Sequence, residues 1–421
     1  MDSASNTSAN ILPVFDKYIL FSFSGHSRRP PVLKERYYSL DVFRGATVAF
    51  MILVNNQAGT SYAPLEHAPW HGLTPTDLVF PFFLFAVGNA LSFVMPRFHT
   101  QDRSDVVQKI IRRSVLIFGI GFLLNWFPFL RWDHDSLVLK GWTWVNEQGV
   151  LSGVRVMSVL GRIALCYLFG ALLVYFAGIR GSLYISIGLL LGYWLLCYTL
   201  GAPHDPYSLS GYFGTAIDKT LFGSEHLYHG EGVAFDPEGI PSTMAAITQV
   251  VFGYFTGRYI QLKGKNDTML RTLLLAGLAL LALGYAWSLV FPLNKKIWTS
   301  SFVLVSTGYA ILLLAILIFV IEFKHLTGWG SRFFDVFGKN PLFIFVLSGA
   351  FPRLLSLIRI PNPTDNTPAY LSPLSWFYKL VCLPFTAGNG KNASLLYALV
   401  LVFLYWAIGY MLDKRKIYIR V

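Results

Sequence analysis

Residues 75–95 read PTDLVFPFFLFAVGNALSFVM, and from Leu78 to Met95 there is no Lys, Arg, Asp or Glu. As a helix these 21 residues extend about 31 Å, which matches a hydrocarbon core about 30 Å thick. Pro81 and Gly88 do not argue against that reading, because membrane helices tolerate both. Outward from this run, apolar segments of similar length recur at 40–56, 114–130, 156–177, 183–200, 242–260, 272–291, 298–321, 338–357 and 394–412. The pattern predicts an all-α polytopic membrane protein with about ten transmembrane helices. Leu374 to Phe385 is also apolar, but it is short and contains Lys379, which predicts a re-entrant or interfacial helix. The composition agrees: 54% of the 421 residues are hydrophobic and 13% charged, with a mean hydropathy of +0.51. Soluble domains carry about 25% charged residues, so a soluble enzyme is excluded.

The net charge of +12 first admits a nucleic-acid partner. Its distribution argues for orientation instead. With ten spans, 23 of the 34 Lys and Arg fall on one side and ten on the other, with Arg162 inside a span. The positive-inside rule then places both termini in the cytoplasm and the long loops 131–155, 201–241 and 358–393 outside. Residues 1–35 end in Arg28-Arg29-Pro30-Pro31, and these basic residues follow the apolar run of that segment. This predicts a cytoplasmic tail and no cleavable signal, followed by a transmembrane domain over 36–421. Cys166, Cys197 and Cys382 lie far apart and mostly in apolar runs, and read as buried hydrophobes; neither a disulfide framework nor a metal site is expected. No Gly-x-x-x-x-Gly-Lys-Ser/Thr loop, Gly-x-Ser-x-Gly elbow or His-Glu-x-x-His pair is present.

Six of the nine histidines fall on the external side, so chemistry is sought there. The richest stretch joins the first two spans: Asp41-Val42-Phe43-Arg44-Gly45, Val54-Asn55-Asn56, and Glu66-His67-Ala68-Pro69-Trp70-His71-Gly72-Leu73-Thr74-Pro75-Thr76-Asp77. Its external loop has no Lys or Arg, yet it carries two histidines and two carboxylates, a combination suited to proton transfer. Each residue also has a structural reading. Thr74-Pro75-x-Asp77 is a helix-capping pattern, Asp41 and Arg44 have same-face spacing, and Asn55 or Asn56 can satisfy loose helix-end carbonyls. Arg162, about two turns into its span, needs a partner, because an unpaired arginine at the bilayer centre costs at least about 2.5 kcal/mol. Asp77 is the expected one. Asp236-Pro237-Glu238-Gly239 has turn chemistry, and the preceding Glu225 to His229 adds polar and aromatic groups suited to a sugar.

These segments, with Arg155 to Arg162 and the Lys414-Arg415-Lys416-Ile417 ending, resemble the heparan-alpha-glucosaminide N-acetyltransferase family over about residues 36 to 421. The resemblance implies a membrane enzyme that moves an acetyl group from cytoplasmic acetyl-CoA to the amine of a terminal glucosamine across the bilayer. It puts the active-site histidine at His67, as base or acyl relay, and the acetyl-oxygen donor at Asn56 or Asn55. Asp77, Arg162, Asp41 and Arg44 are then expected to support the site. Arg258, Lys339 and Asn340 are expected to meet the cofactor phosphates, and His71, Trp70, Asp236 and Glu238 the acceptor. The chain lacks the large lumenal region of the animal lysosomal enzyme and so resembles shorter bacterial members, which implies a bacterial inner membrane. Expected partners are the lipid bilayer, acetyl-CoA and an amino-sugar or glycan acceptor, with no nucleic acid and a homodimer left open. Two other readings compete: a secondary transporter of a sugar or organic anion, and an O-acyltransferase of envelope glycans.

Overall fold

The structure is a computed structural model that describes residues 37–146, 149–362 and 369–419. The expected tail, residues 1–35, lies outside the described residues, as do 147–148 and 363–368 of two expected loops.

Helix α1, Tyr38–Asn55, is followed by a loop and a 3-10 turn, Pro75–Leu78, which leads into α2, Val79–Phe98. Then come α3, Arg103–Trp126, and the long segment α4, Val159–Leu200. Helix α4 is two limbs. Gly178 sits at φ 62°, and Ser182 Oγ donates to the Leu173 carbonyl at 3.1 Å, a contact that nine residues of straight helix would hold about 13 Å apart. The chain therefore folds back at Gly178, where glycine alone takes the left-handed backbone without cost.

The bundle continues with α5, Gly214–Phe222; α6, Ile240–Lys263; α7, Asp267–Trp287; and α8, Ser300–Ile318, extended by a π-turn to Phe323. It closes with α9, Trp329–Lys339; α10, Pro341–Leu355; α11, Pro373–Phe377, prolonged to Phe385; and α12, Gly390–Lys414.

Among the described residues, five helical stretches are long and apolar enough to cross a membrane, with the two limbs of α4 counted as one: 75–98, 159–200, 267–287, 300–323 and 390–414. Helices α9 and α10, bent by 80° at Asn340 and Pro341, make a sixth candidate together. The sequence anticipates one continuous span at 338–357. Pro341, with no N–H and a fixed φ, instead starts a separate helix of 15 residues, about 22 Å long. The third expected run is displaced as well, because its helix starts at Arg103 and spends its first half on charged residues. Two of the long loops carry strands: among the described residues these form three antiparallel hairpins, β1, Leu130–Asp133, with β2, Ser136–Leu139; β3, Thr143–Val145, with β4, Leu151–Gly153; and β5, Ile360–Pro361, with β6, Tyr370–Leu371. All three cysteines are buried and unbridged.

Helix α6 is central, packed on α2 and α4. Where α2 and α6 cross, a Cβ on Gly88 would stand 1.9 Å from the Val250 carbonyl oxygen, and one on Gly253 2.2 Å from that of Phe85. Backbones touch there, which is how small residues hold helices together when lipid removes the hydrophobic drive between them. Gly253-x-x-x-Gly257 is thus a packing motif, with Gly257 against Ser92 and Asn89.

Candidate active site

The loop from α1 to α2 is built around one carboxylate. Asp77 Oδ2 accepts from the Thr74 backbone N–H at 3.0 Å, the Thr74 hydroxyl at 3.0 Å and the Ala68 N–H at 3.1 Å. This is the capping box that Thr74-Pro75-x-Asp77 encodes. Its other oxygen, Oδ1, accepts from His67 Nδ1 at 2.7 Å. One carboxylate both caps the helix entry and holds the histidine. The Asp77 side chain is 2% exposed and that of His67 44%. In a neutral ring, a proton on Nδ1 facing this carboxylate leaves the lone pair on Nε2.

Other loops pin this one. The Gly72 N–H donates to the Leu293 carbonyl at 2.8 Å, and Trp70 Nε1–H to that of Tyr207 at 2.8 Å. His71 Nδ1 lies 3.4 Å from Asn294 Nδ2, and burial lowers its pKa. Lys295, between α7 and α8, places Nζ 3.0 Å from His67 Nδ1, 3.3 Å from Nε2 and 3.7 Å from Asp77 Oδ1. Burial lowers the pKa of Lys295, while Asp77 and Glu238 oppose that shift. Sequence reasoning passed over this residue. The available signal was Asn294-Lys295-Lys296, two cations just before an apolar span on the side where cations are sparse.

The remaining expected residues sort by what they touch. Arg162 is not Asp77's partner. It is fully buried, donates to the Gly239 carbonyl at 3.1 Å and to the Ser242 hydroxyl, and lies 5.0 Å from the Trp298 ring centroid. The start of α6 takes that guanidinium, and the cation beside Asp77 is Lys295. Asp236 and Glu238 are both held by Arg155: Nε donates to Asp236 Oδ2 at 2.8 Å, and Nη2 to Asp236 Oδ1 at 2.6 Å and also to Glu238. The two carboxylates pull the Arg155 pKa up against its burial, and Arg155 holds the Glu238 pKa down. The Asp236 side chain has no exposed area, so the predicted turn is a buried brace. Asn56 Nδ2 donates to the Ile52 carbonyl at 2.9 Å, which is the helix-end reading, while Asn55 is exposed at the end of α1.

At the far end of α2 lies a cavity of about 610 Å³. Arg44, Arg113 and Lys339 supply its cations, and Phe83, Leu91, Val94 and Ile163 are among its apolar lining. Asp41 and Arg44 pair at 2.8 Å, and Arg44 Nε donates to the Gly338 carbonyl at 3.0 Å. From Val94 to Phe83 the lining follows α2 for 11 residues, about 16 Å, toward the end that carries Asp77. Lys339 lines the cavity and also pairs with Asp335 and Asp413, each at 2.8 Å. Asn340, expected at the phosphates, is fully buried; it donates to the Ile417 carbonyl at 3.0 Å and accepts from the Ile419 N–H at 2.8 Å. It clasps the C-terminal segment. Arg258, half-buried on α6, is not part of the lining.

Comparison with known proteins agrees with the resemblance read from the motifs. Residues 36–210 match the family described as heparan-alpha-glucosaminide N-acetyltransferase, catalytic. The human heparan-alpha-glucosaminide N-acetyltransferase is 28% identical over 377 residues, covering 76% of this chain and 53% of that protein. The mouse protein of the same name is 26% identical, covering 74% and 53%. The chain thus spans about half the length of the curated relatives it matches.

Proposed function

We propose that this chain, a relative of the heparan-alpha-glucosaminide N-acetyltransferases, transfers an acetyl group from acetyl-CoA to the amine of a glucosamine-type sugar across a bilayer. Ten helical passes with both termini cytoplasmic, in a bacterial inner membrane, are part of the proposal. One observation carries it: an oriented histidine stands at one end of α2, and a cation-rimmed cavity approaches from the other.

The chemistry follows from those two features. Nucleotide phosphates suit Arg44, Arg113 and Lys339, since fixed cations give strong charge-assisted hydrogen bonds to phosphate. An extended pantetheine arm suits an apolar channel about 16 Å long. At the other end, a sugar amine attacking a thioester must lose a proton, and His67 Nε2, with Nδ1–H fixed on Asp77, is placed to take it. The same nitrogen, acting as nucleophile, serves an acetyl-relay path. Asn55 or Asn56 is the proposed amide donor to the acetyl oxygen, and Trp70 with His71 offers the acceptor an aromatic and polar wall.

Purified full-length protein given labelled acetyl-CoA and glucosamine is expected to form N-acetylglucosamine, with His67→Ala reducing turnover by roughly 10²-fold or more. Substrate uptake into vesicles with no acetyl-CoA consumed would reject the enzyme reading in favour of transport.

A further inference from the structure

The least explained charge near His67 is Lys295. Its Nζ lies within 3.3 Å of both ring nitrogens of His67. Those nitrogens flank a single carbon, so Nζ lies at hydrogen-bonding distance from both, and 3.7 Å from Asp77 Oδ1. An ammonium 3.3 Å from Nε2 on a flexible four-carbon stem is within reach of an acetyl group reacting there.

We propose that Lys295 is a further catalytic residue, whose ammonium donates to the acetyl oxygen as negative charge builds there during transfer at His67. The inference goes beyond the proposed function and rests on it. In the direct path the sugar nitrogen's lone pair forms the new C–N bond to the thioester carbon, and the C=O π pair moves onto oxygen, where Lys295 N–H receives it. That pair then re-forms C=O, and the C–S bond breaks with its electrons on sulfur. The proton lost by the amine to His67 Nε2 passes to the CoA thiolate, leaving the amide and free CoA thiol. In the relay path the same oxyanion forms in both half-reactions, so the role of Lys295 is unchanged.

Two features make Lys295 the better-placed donor. The Asn56 amide already gives a hydrogen bond to the Ile52 carbonyl, and a cation stabilises an oxyanion more strongly than a neutral amide does in a site partly closed to water. The groups facing Lys295 are Asp77 and His67 from the α1–α2 loop, Glu238 from the turn before α6, and its neighbour Lys296. The carboxylates favour its charge, while burial and Lys296 oppose it, and burial prevails. A required ammonium with a lowered pKa is lost as pH rises, so the activity acquires an alkaline limb that an arginine in its place, which does not titrate, would lack.

The test measures kcat and KM for acetyl-CoA between about pH 6 and 10 with full-length wild type, Lys295→Met and Lys295→Arg. Lys295→Met is expected to lower kcat by roughly 10²–10³-fold with little change in KM, as loss of an oxyanion donor does. Lys295→Arg should keep more activity and lose the alkaline limb. A Lys295→Met enzyme within threefold of wild-type kcat contradicts the role, as does an arginine variant with an unchanged limb; the latter readout stands even where the methionine variant fails to fold. A wild-type enzyme that forms no amide contradicts the proposed function first, and the role of Lys295 falls with it.

Discussion

The end of the bundle that carries His67 holds two clusters of similar composition and opposite openness. In Arg155–Asp236–Glu238, the guanidinium bridges both carboxylates and Asp236 is sealed from solvent. In His67–Asp77–Lys295 the carboxylate is equally sealed, but the histidine it orients is 44% exposed and keeps Nε2 clear of Asp77. Charge alone does not separate a brace from a reactive centre. In the proposed function access does: the His67 ring reaches solvent, while Asp236 does not.

Substitutions in each cluster can break that distinction, and the largest effect belongs to the open one. Asp77→Asn should preserve an acceptor for the cap but lose the histidine's tautomer, lowering kcat by roughly 10²–10⁴-fold in protein that still elutes as a folded species. A variant with near-normal kcat would reduce Asp77 to its capping role.

Arg155→Met should act the other way. Removing one partner of a buried ionic cluster costs about 3–5 kcal/mol, so the melting temperature in detergent should collapse while turnover per folded molecule changes little. A stable variant with a raised KM for the acceptor would support Asp236 and Glu238 as substrate contacts. A smaller effect is expected at the opposite end, where Arg113→Gln should raise KM for acetyl-CoA about five- to tenfold at unchanged kcat, the loss of one charge-assisted contact.

A separate effect, on stability alone, concerns Asp218, next to the closed cluster. Burial pushes its carboxyl up to about 7, helped by Asp236 and opposed by the Ile240 N–H and by Arg162. A carboxyl whose folded pKa lies above its unfolded value binds more protons when folded. Stability therefore falls as pH rises from about 4 to about 7 and levels off above that. Melting curves across that range should show the decline in wild type and a flatter line in Asp218→Asn. An identical slope in both would remove Asp218 as the cause.

What the sequence made legible follows from how local each signal is. The apolar run at 75–95 and the Thr74 to Asp77 cap are contiguous, and both appear where expected. So does the Asp41–Arg44 pair, set by helical spacing. The partner of Arg162 was not legible, because its acceptors are a backbone carbonyl and a serine hydroxyl at the start of α6, with no charge pattern to mark them. Lys295 was hidden for the related reason that 228 residues separate it from His67, and a cation in a short loop reads first as a topology signal. The fate of Asn340 depended on how the C-terminal segment folds back, which no periodicity encodes.

In the proposed function, acetyl groups enter at the cation-rimmed cavity and leave at His67, at opposite ends of α2. Proteoliposomes with glucosamine sealed inside and labelled acetyl-CoA added outside test it directly. Labelled N-acetylglucosamine should accumulate in the sealed lumen with wild type and stay at background with His67→Ala. Product that forms only when donor and acceptor share one compartment, or equally with the His67 variant, would contradict transfer across the membrane at this site.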